Sequence, residues 1–403
     1  MPDQDATTKL EPNEEPPPAT TPQPLVPGVE PGHLVPPAEA AALSFLGVLA
    51  LGALLLVAVK LQYPNLGAGA DTIDVFSSVV ILALATLRVP IHVGELTFTV
   101  LPLGALAAVF FIVRWACRVA APSAPPRRGL VVGAIFAVIA LLAALAFRFR
   151  FEPDAVFAGA LGAAFLGFVW ISLFSALAFA GSKEPLATAA GRRLTGLRGR
   201  RPATFEGLRA AGLMLGIAFV LGLAAGLLWA ILVLLTGGGP HGLDGGDLIG
   251  ALVYLVAFAP NLVVTVVSLS LGAPVDVGAG LTVGGRVRGN VEQWSVLSDG
   301  AGLSILLLLI PLAACGAGGY WARRNSQRPE LVARTLAIAA LVFAAVLALL
   351  GWLGEARLGA ELASSRGFGM IAPRAWVVFL LGSLWAGGAG FAGWEMASKR
   401  SPS

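Results

Sequence analysis

Nine stretches of roughly twenty residues, almost free of charge, recur along this chain: Ala40–Val59, Leu96–Ala116, Gly129–Phe147, Ala155–Ala180, Leu208–Leu235, Leu248–Leu271, Ala301–Tyr320, Leu331–Leu353 and Ala375–Trp394. Wound into helix, each matches the hydrocarbon core of a bilayer, about 30 Å thick. Inside lipid the backbone must satisfy its own hydrogen bonds, which a helix does within one segment. A tenth stretch, Ile73–Leu87, is shorter and opens beside Asp71 and Asp74, as a tilted span or an interfacial helix would. The expected fold class is all-α: a polytopic transmembrane helical bundle of eight to ten membrane segments.

Composition agrees. Of 403 residues, 57% are hydrophobic and 12% charged, against about 25% charged in a soluble domain. A soluble globular protein, a disordered chain and a disulfide scaffold are all excluded. Residues 1–38 are rich in proline and acid and too poor in large apolar side chains to offset their ordering entropy, so they read as a disordered tail. The transmembrane domain spans 39–397, and a short basic tail, 398–403, follows. The segment ahead of Ala40 is acidic, so the first span reads as an uncleaved anchor, not a signal peptide.

The basic residues sit mostly at the ends of the apolar runs. That pattern reflects retention of Lys and Arg on the cytoplasmic side, not a nucleic-acid surface. Arg114, Arg118, Arg127 and Arg128 mark one cytoplasmic loop; Lys183, Arg192, Arg193, Arg198, Arg200 and Arg201 mark another. The segment 236–247 has no Lys or Arg and belongs outside. A conflict follows. Arg323, Arg324 and Arg328, with Lys399 and Arg400, also ask to be cytoplasmic, yet two full spans between Asp247 and Arg323 would put the first three outside. One segment should therefore not cross. Leu248–Leu271 is the candidate, because Pro260 removes a backbone donor and clashes with the preceding turn. A segment broken or re-entrant at Pro260–Asn261, entering and leaving from outside, restores the charge rule; a kinked full span is the alternative. The localisation expected is a plasma membrane, multi-pass, with both flanks cytoplasmic.

No nucleotide-binding, zinc-protease, dithiol or serine-hydrolase motif is present. The glycine-rich run Val277–Asn290 lacks the strand, loop, lysine and helix context of a phosphate loop and reads as a turn-rich hairpin. Cys117 and Cys315 are isolated, and His33, His92 and His241 are scattered, so neither a metal site nor a cofactor is expected. Ionisable residues such as Arg88, Glu95, Arg148, Arg150, Glu152 and Asp154 flank spans instead of sitting inside them, which argues against proton-coupled transport. The candidate substrate site is the break itself: Pro260, Asn261, Thr265 and Ser268. The run Gly191–Arg201 supplies candidate headgroup ligands in Arg192, Arg193, Arg198, Arg200 and Arg201. Gly212, Gly216, Gly222 and Gly226 present two small faces for helix packing.

Three stretches resemble known sequences: Val89–Phe111, Leu252–Gly280 and Gly354–Leu362. They are similar to the uncharacterised integral membrane proteins of actinobacteria, including the streptophobe group and permease-like, cell-division-associated relatives. The polar segment Arg286–Gly300 departs from that pattern. The resemblance implies a plasma-membrane protein with an envelope or division role, and it carries over no catalytic residue. The function expected is a non-enzymatic accessory or scaffold for cell-envelope or cell-division assemblies, partnered by the bilayer and by other membrane proteins. The alternative is a permease for a neutral or amphipathic solute using the Pro260–Asn261 break.

Overall fold

Helices and hairpins follow one another in an order that occurs twice. The computed structural model describes residues 34–62, 72–93, 96–99, 101–122, 124–151, 154–180, 201–235, 245–283, 286–296, 303–325, 329–362 and 365–399. The first half runs α1 (Val35–Gln62), α2 (Thr72–Ala85), β1 (Ile91–Val93), β2 (Leu96–Thr99), α3 (Leu103–Ala120), α4 (Arg128–Ala146), β3 (Arg148–Phe151), β4 (Asp154–Ala158) and α5 (Ala160–Ala180). The second half runs α6 (Pro202–Leu235), α7 (Gly245–Ser270), β5 (Val275–Val283), β6 (Arg286–Trp294), α8 (Leu309–Asn325), α9 (Val332–Leu353), β7 (Ala356–Leu362), β8 (Ser365–Pro373) and α10 (Ala375–Lys399). All but α2 and α7 are long and apolar enough to cross a membrane, eight helices among the described residues. The chain is a multi-pass helical membrane bundle.

The duplication is written in the residues. Leu87 to Gly94 and Leu271 to Gly278 share the pattern Leu-x-x-Pro-Ile/Val-x-Val-Gly, each at the junction of the second helix of its half with the first hairpin. Helices α3 and α8 agree from their first residues at Leu103 and Leu309, Leu106 and Leu312, Ala107 and Ala313, Ala108 and Ala314, Trp115 and Trp321, Ala116 and Ala322, and Arg118 and Arg324. Two buried apolar clusters form, one around Phe136 built mainly from the first half, with Val264 and Leu353 added from the second, and one around Phe343 in the second half. Gly52 of α1 fits against Val79 and Ala83 of α2, as Gly222 of α6 fits against Val263 and Val267 of α7. Val79 and Ala83 stand the same distances before Leu87 as Val263 and Val267 stand before Leu271. Elsewhere the small residue has changed sides: Gly47 of α1 receives Ile112 of α3, whereas Gly318 of α8 receives Met214 of α6.

The eight strands form one antiparallel sheet in the order β3-β4-β1-β2-β7-β8-β5-β6. Pairings such as Ile91 with Ala158, Thr99 with Arg357 and Val275 with Pro373 join hairpin base to hairpin base. The four hairpins therefore stand side by side like fence boards, all pointing one way. Every helix end that feeds a hairpin lies on that side of the bundle. The sheet was not foreseen, and it absorbs segments assigned to spans. Leu96–Thr99 is strand before α3 begins and Asp154–Ala158 is strand before α5, while Gly354–Leu362, outside the expected spans, contains β7. The glycine-rich run is the β5–β6 hairpin. Helix α1 begins at Val35, ahead of the expected Ala40. Pro36 and Pro37 fall in its first turn, where a missing amide proton breaks no helical bond.

The expected break at Pro260–Asn261 is corrected: α7 is one continuous helix with Pro260 inside it. The carbonyl that Pro260 leaves without a helical donor belongs to Val256, and it lies against Gly104 of α3, where no side chain intervenes. The re-entrant turn comes later. At Leu271 the chain lies beside Gly382 of α10, and its carbonyl accepts the Trp385 indole N–H at 3.1 Å. Gly382 is seven residues along α10, about 10 Å below its sheet-side end at 1.5 Å per residue. Gly272, in the left-handed region at φ 83°, then reverses the chain. The Arg374 amide donates to the Pro274 carbonyl at 3.3 Å, back at the base of the sheet. Helix α7 thus enters from the sheet side and returns to it without crossing, and α2, which feeds β1 in the same manner, occupies the equivalent place. With eight crossings, the ends bearing Arg118, Arg127, Arg128, Arg201, Arg323, Arg324 and Lys399 all lie opposite the sheet. The parity conflict in the sequence disappears.

Candidate functional site: the joint between the two halves

The polar residues with the most specific geometry gather where the halves meet, at the base of the sheet. Asn261 is at the centre. Its Oδ1 accepts from the Leu103 amide at 2.8 Å, and its Nδ2 donates to the Leu101 carbonyl at 2.8 Å and the Gly354 carbonyl at 3.2 Å. One side chain on α7 therefore ties the start of α3, in the first half, to the end of α9. The first turn of α3 needs an acceptor, since a helix leaves its leading amides unsatisfied, and Pro102 ahead of it makes no side-chain cap. Asn261 supplies that acceptor from another helix. Both its amide protons are committed, so it presents no free donor to a solute.

Beside it lies a charge cluster that also bridges the halves. Glu355, 6% exposed, accepts from the Arg357 Nε at 2.7 Å, and the Arg88 guanidinium approaches it at 3.8 Å. Arg88 also lies over the Trp352 ring, 4.7 Å from its centroid. Burial pushes the Arg88 pKa below the usual arginine range; Glu355 opposes that shift and Arg357 adds to it. Arg88 has φ 68°, unusual for a residue with a side chain. A second buried pair sits within the second half: the Arg374 Nε donates to the Asp276 Oδ2 at 2.9 Å, while the buried Asp276 Oδ1 has no partner. Its first-half counterpart is His92, whose Nδ1 is 3.0 Å from the Thr97 hydroxyl and whose ring stacks on Phe157 at 4.9 Å.

The other residues singled out in the sequence are dispersed around this joint. Pro260 and Thr265 are half-buried on α7, and Ser268 is buried, its hydroxyl donating to the Val264 carbonyl of its own helix at 2.7 Å. Gly222 and Gly226 face α7, against Val263, Val267 and Leu262. Gly212 and Gly216 lie on an exposed face of α6 with open space where a side chain would go. Arg201 is exposed just before α6; Arg192, Arg193, Arg198 and Arg200 lie outside the described residues, as do 1–33 of the tail. Among the described residues, no three His, Cys, Asp or Glu side chains group as a metal site would require. Sequence reasoning missed Arg88, Glu355, Asp276 and Arg374. The signal that could have found Arg88 and Asp276 is the recurrence of Leu-x-x-Pro-Ile/Val-x-Val-Gly, which contains both. Comparison with protein-family models, with curated proteins and with solved structures gives no match.

Proposed function

We propose that the protein is a non-enzymatic structural component of a cell membrane, an accessory or scaffold that holds a sheet of four hairpins on the non-cytoplasmic face. The side opposite the sheet carries the arginine-rich helix ends, and retention of basic residues makes that side cytoplasmic. Both flanks of the bundle then face the cytoplasm, and the hairpins face the cell envelope.

The observation that carries this reading is the joint. Asn261 spends its hydrogen-bonding groups on three backbone groups of two other segments, and the buried charges of Glu355 and Asp276 are paired with arginines. Such an arrangement fixes the halves relative to each other and holds the sheet as a stable docking face.

The test is isolation of the tagged protein in mild detergent from its native membrane, with and without the β5–β6 hairpin tip. A stoichiometric membrane partner that is lost with the hairpin tip is the expected result. A solitary protein that conducts a neutral solute in liposomes, and stops doing so as Asn261→Leu while still folded, would replace the scaffold by a permease.

A further inference from the structure

The joint between the halves is head-to-tail, and the surfaces that make it occur twice while the joint itself is made once. Each half offers a leading surface and a trailing one. In the first half the leading surface is the β2 edge with α1 and α3; in the second, the trailing surface is the β7 edge with α7. These meet: β2 pairs β7, and α7 packs on α1 and α3. Their counterparts are the β6 edge with α6 and α8, and the β3 edge with α2. Among the described residues, β6 pairs only with β5 and β3 only with β4. Helix α2 makes no comparable packing against α6 or α8.

We propose that a second copy of this chain uses these two surfaces, with β6 of one copy pairing antiparallel with β3 of the next, in the same bilayer. The internal joint supplies the geometry. Strand β2 runs from hairpin tip to base and β7 from base to tip, and β6 and β3 have those same senses. Joining them keeps both bundles on one side of a continuous sheet. Two β6 edges do not meet this condition, because antiparallel self-pairing would turn one copy's helices away from the membrane. An unpaired edge nine residues long is otherwise a template for indiscriminate pairing. A head-to-tail contact repeats, giving a closed ring if the rotation closes and an open row if it does not.

The register follows from the same equivalence. Phe98 faces Ile91, as Trp294 faces Val275. Leu358 and Phe151 hold matching places in β7 and β3, counted from Pro373 and Ala158, which face those same two residues. Since Phe98 pairs with Leu358, Trp294 of one copy pairs with Phe151 of the next, and Ser295 with Arg150. Directly opposed antiparallel residues have Cα atoms about 4.5–5.5 Å apart, within the span of a disulfide.

The experiment co-expresses two full-length chains lacking Cys117 and Cys315, one carrying Trp294→Cys and the other Phe151→Cys, and oxidises them in the membrane. The expected result is a covalent dimer in the mixture and none from either variant alone. One chain carrying both changes should give a ring or a ladder of linked copies. Dimers from Trp294→Cys alone would show β6 meeting β6 and overturn the proposal. A linked monomer from the doubly substituted chain would show the sheet closing on itself, which also overturns it. Ser295→Cys with Arg150→Cys serves as a second pair. Failure of both pairs, in chains that still elute as one folded species, rules the contact out.

Discussion

Arg88 and Gly272 are the same position in the two halves, and both hold the backbone in the left-handed region, at φ 68° and 83°. Each ends a helix that does not cross, with an amide bonded three residues back, to Ala85 at 2.9 Å and to Leu269 at 2.8 Å. Each then turns the chain toward a proline and a strand. Glycine takes this conformation without penalty; an L side chain costs about 1–2 kcal/mol there.

Gly272→Ala should therefore destabilise the protein by about 1–2 kcal/mol. Arg88→Gly removes that backbone strain but also removes the contact with Trp352 and one of two cations near Glu355, so it should lie within about 1 kcal/mol of the parent. Glu355→Gln should cost more than Arg88→Gly, because it leaves Arg88 and Arg357 together without their anion. Thermal unfolding in detergent, run on the three variants side by side, gives the order. Arg88→Gly as the least stable of the three would contradict the equivalence.

The helices were legible because a twenty-residue apolar run has few other fates, and the non-crossing segment was legible from where Arg323 and Arg324 sit relative to Arg127 and Arg128. The position of the reversal was not. Pro260 suggested a break, but the carbonyl it frees lies against Gly104 of α3, a contact no local pattern discloses. The sheet was hidden for a related reason. First-half strands of three to five residues merge with the apolar runs beside them. Their partners are distant, as with Thr99 and Arg357. Asn261 stood out as a polar residue in an apolar run, but Leu101, Leu103 and Gly354 bind it through backbone atoms and carry no side-chain signal.

Asn261 should be the most sensitive uncharged position in the joint. Asn261→Leu leaves the Leu103 amide and the Leu101 and Gly354 carbonyls without their partner, at a cost of order 3 kcal/mol. Asn261→Asp retains the acceptor for Leu103 but sets a carboxylate against two carbonyls, so it should not rescue the loss. Thr265→Val, one turn along the same helix, should change stability by less than about 1 kcal/mol. Hydrogen exchange at the first turn of α3 provides an independent readout: Asn261→Leu should raise it there and leave the middle of α5 protected.

For Asp276 and Arg374 the sign of coupling matters more than either single value. Arg374→Ala strands a buried carboxylate whose Oδ1 already lacks a partner, which should cost about 2 kcal/mol once the partial exposure of Arg374 is allowed for. Asp276→Ala leaves only a cation that can turn toward water, and should cost less. The double variant should be more stable than Arg374→Ala alone, as expected when the penalty comes from the unpaired charge. A double variant whose loss equals the sum of the two singles would mean that the pair is not coupled.

The glycines provide a test in which the sequence offers no ranking, because small residues spaced along an apolar helix look alike. In the structure they differ sharply. Gly319 of α8 and Gly390 of α10 meet backbone to backbone, and so do Gly316 and Gly393 one turn away, so an added methyl would strike main-chain atoms that cannot rotate aside. Gly212 and Gly216 of α6, with Gly387 and Gly388 of α10, have open space at the same point. Gly319→Ala and Gly393→Ala should each force α8 and α10 apart and cost about 1–3 kcal/mol. Gly212→Ala and Gly216→Ala should be neutral or slightly stabilising, since alanine favours helix by up to about 1 kcal/mol over glycine. Thermal unfolding of the four single variants in detergent checks the contrast. Equal losses at Gly216 and Gly319 would mean that the exposed face of α6 is covered in the membrane; the head-to-tail contact leaves it open, since Leu46, which holds the place of Gly216 on α1, is exposed in the internal joint.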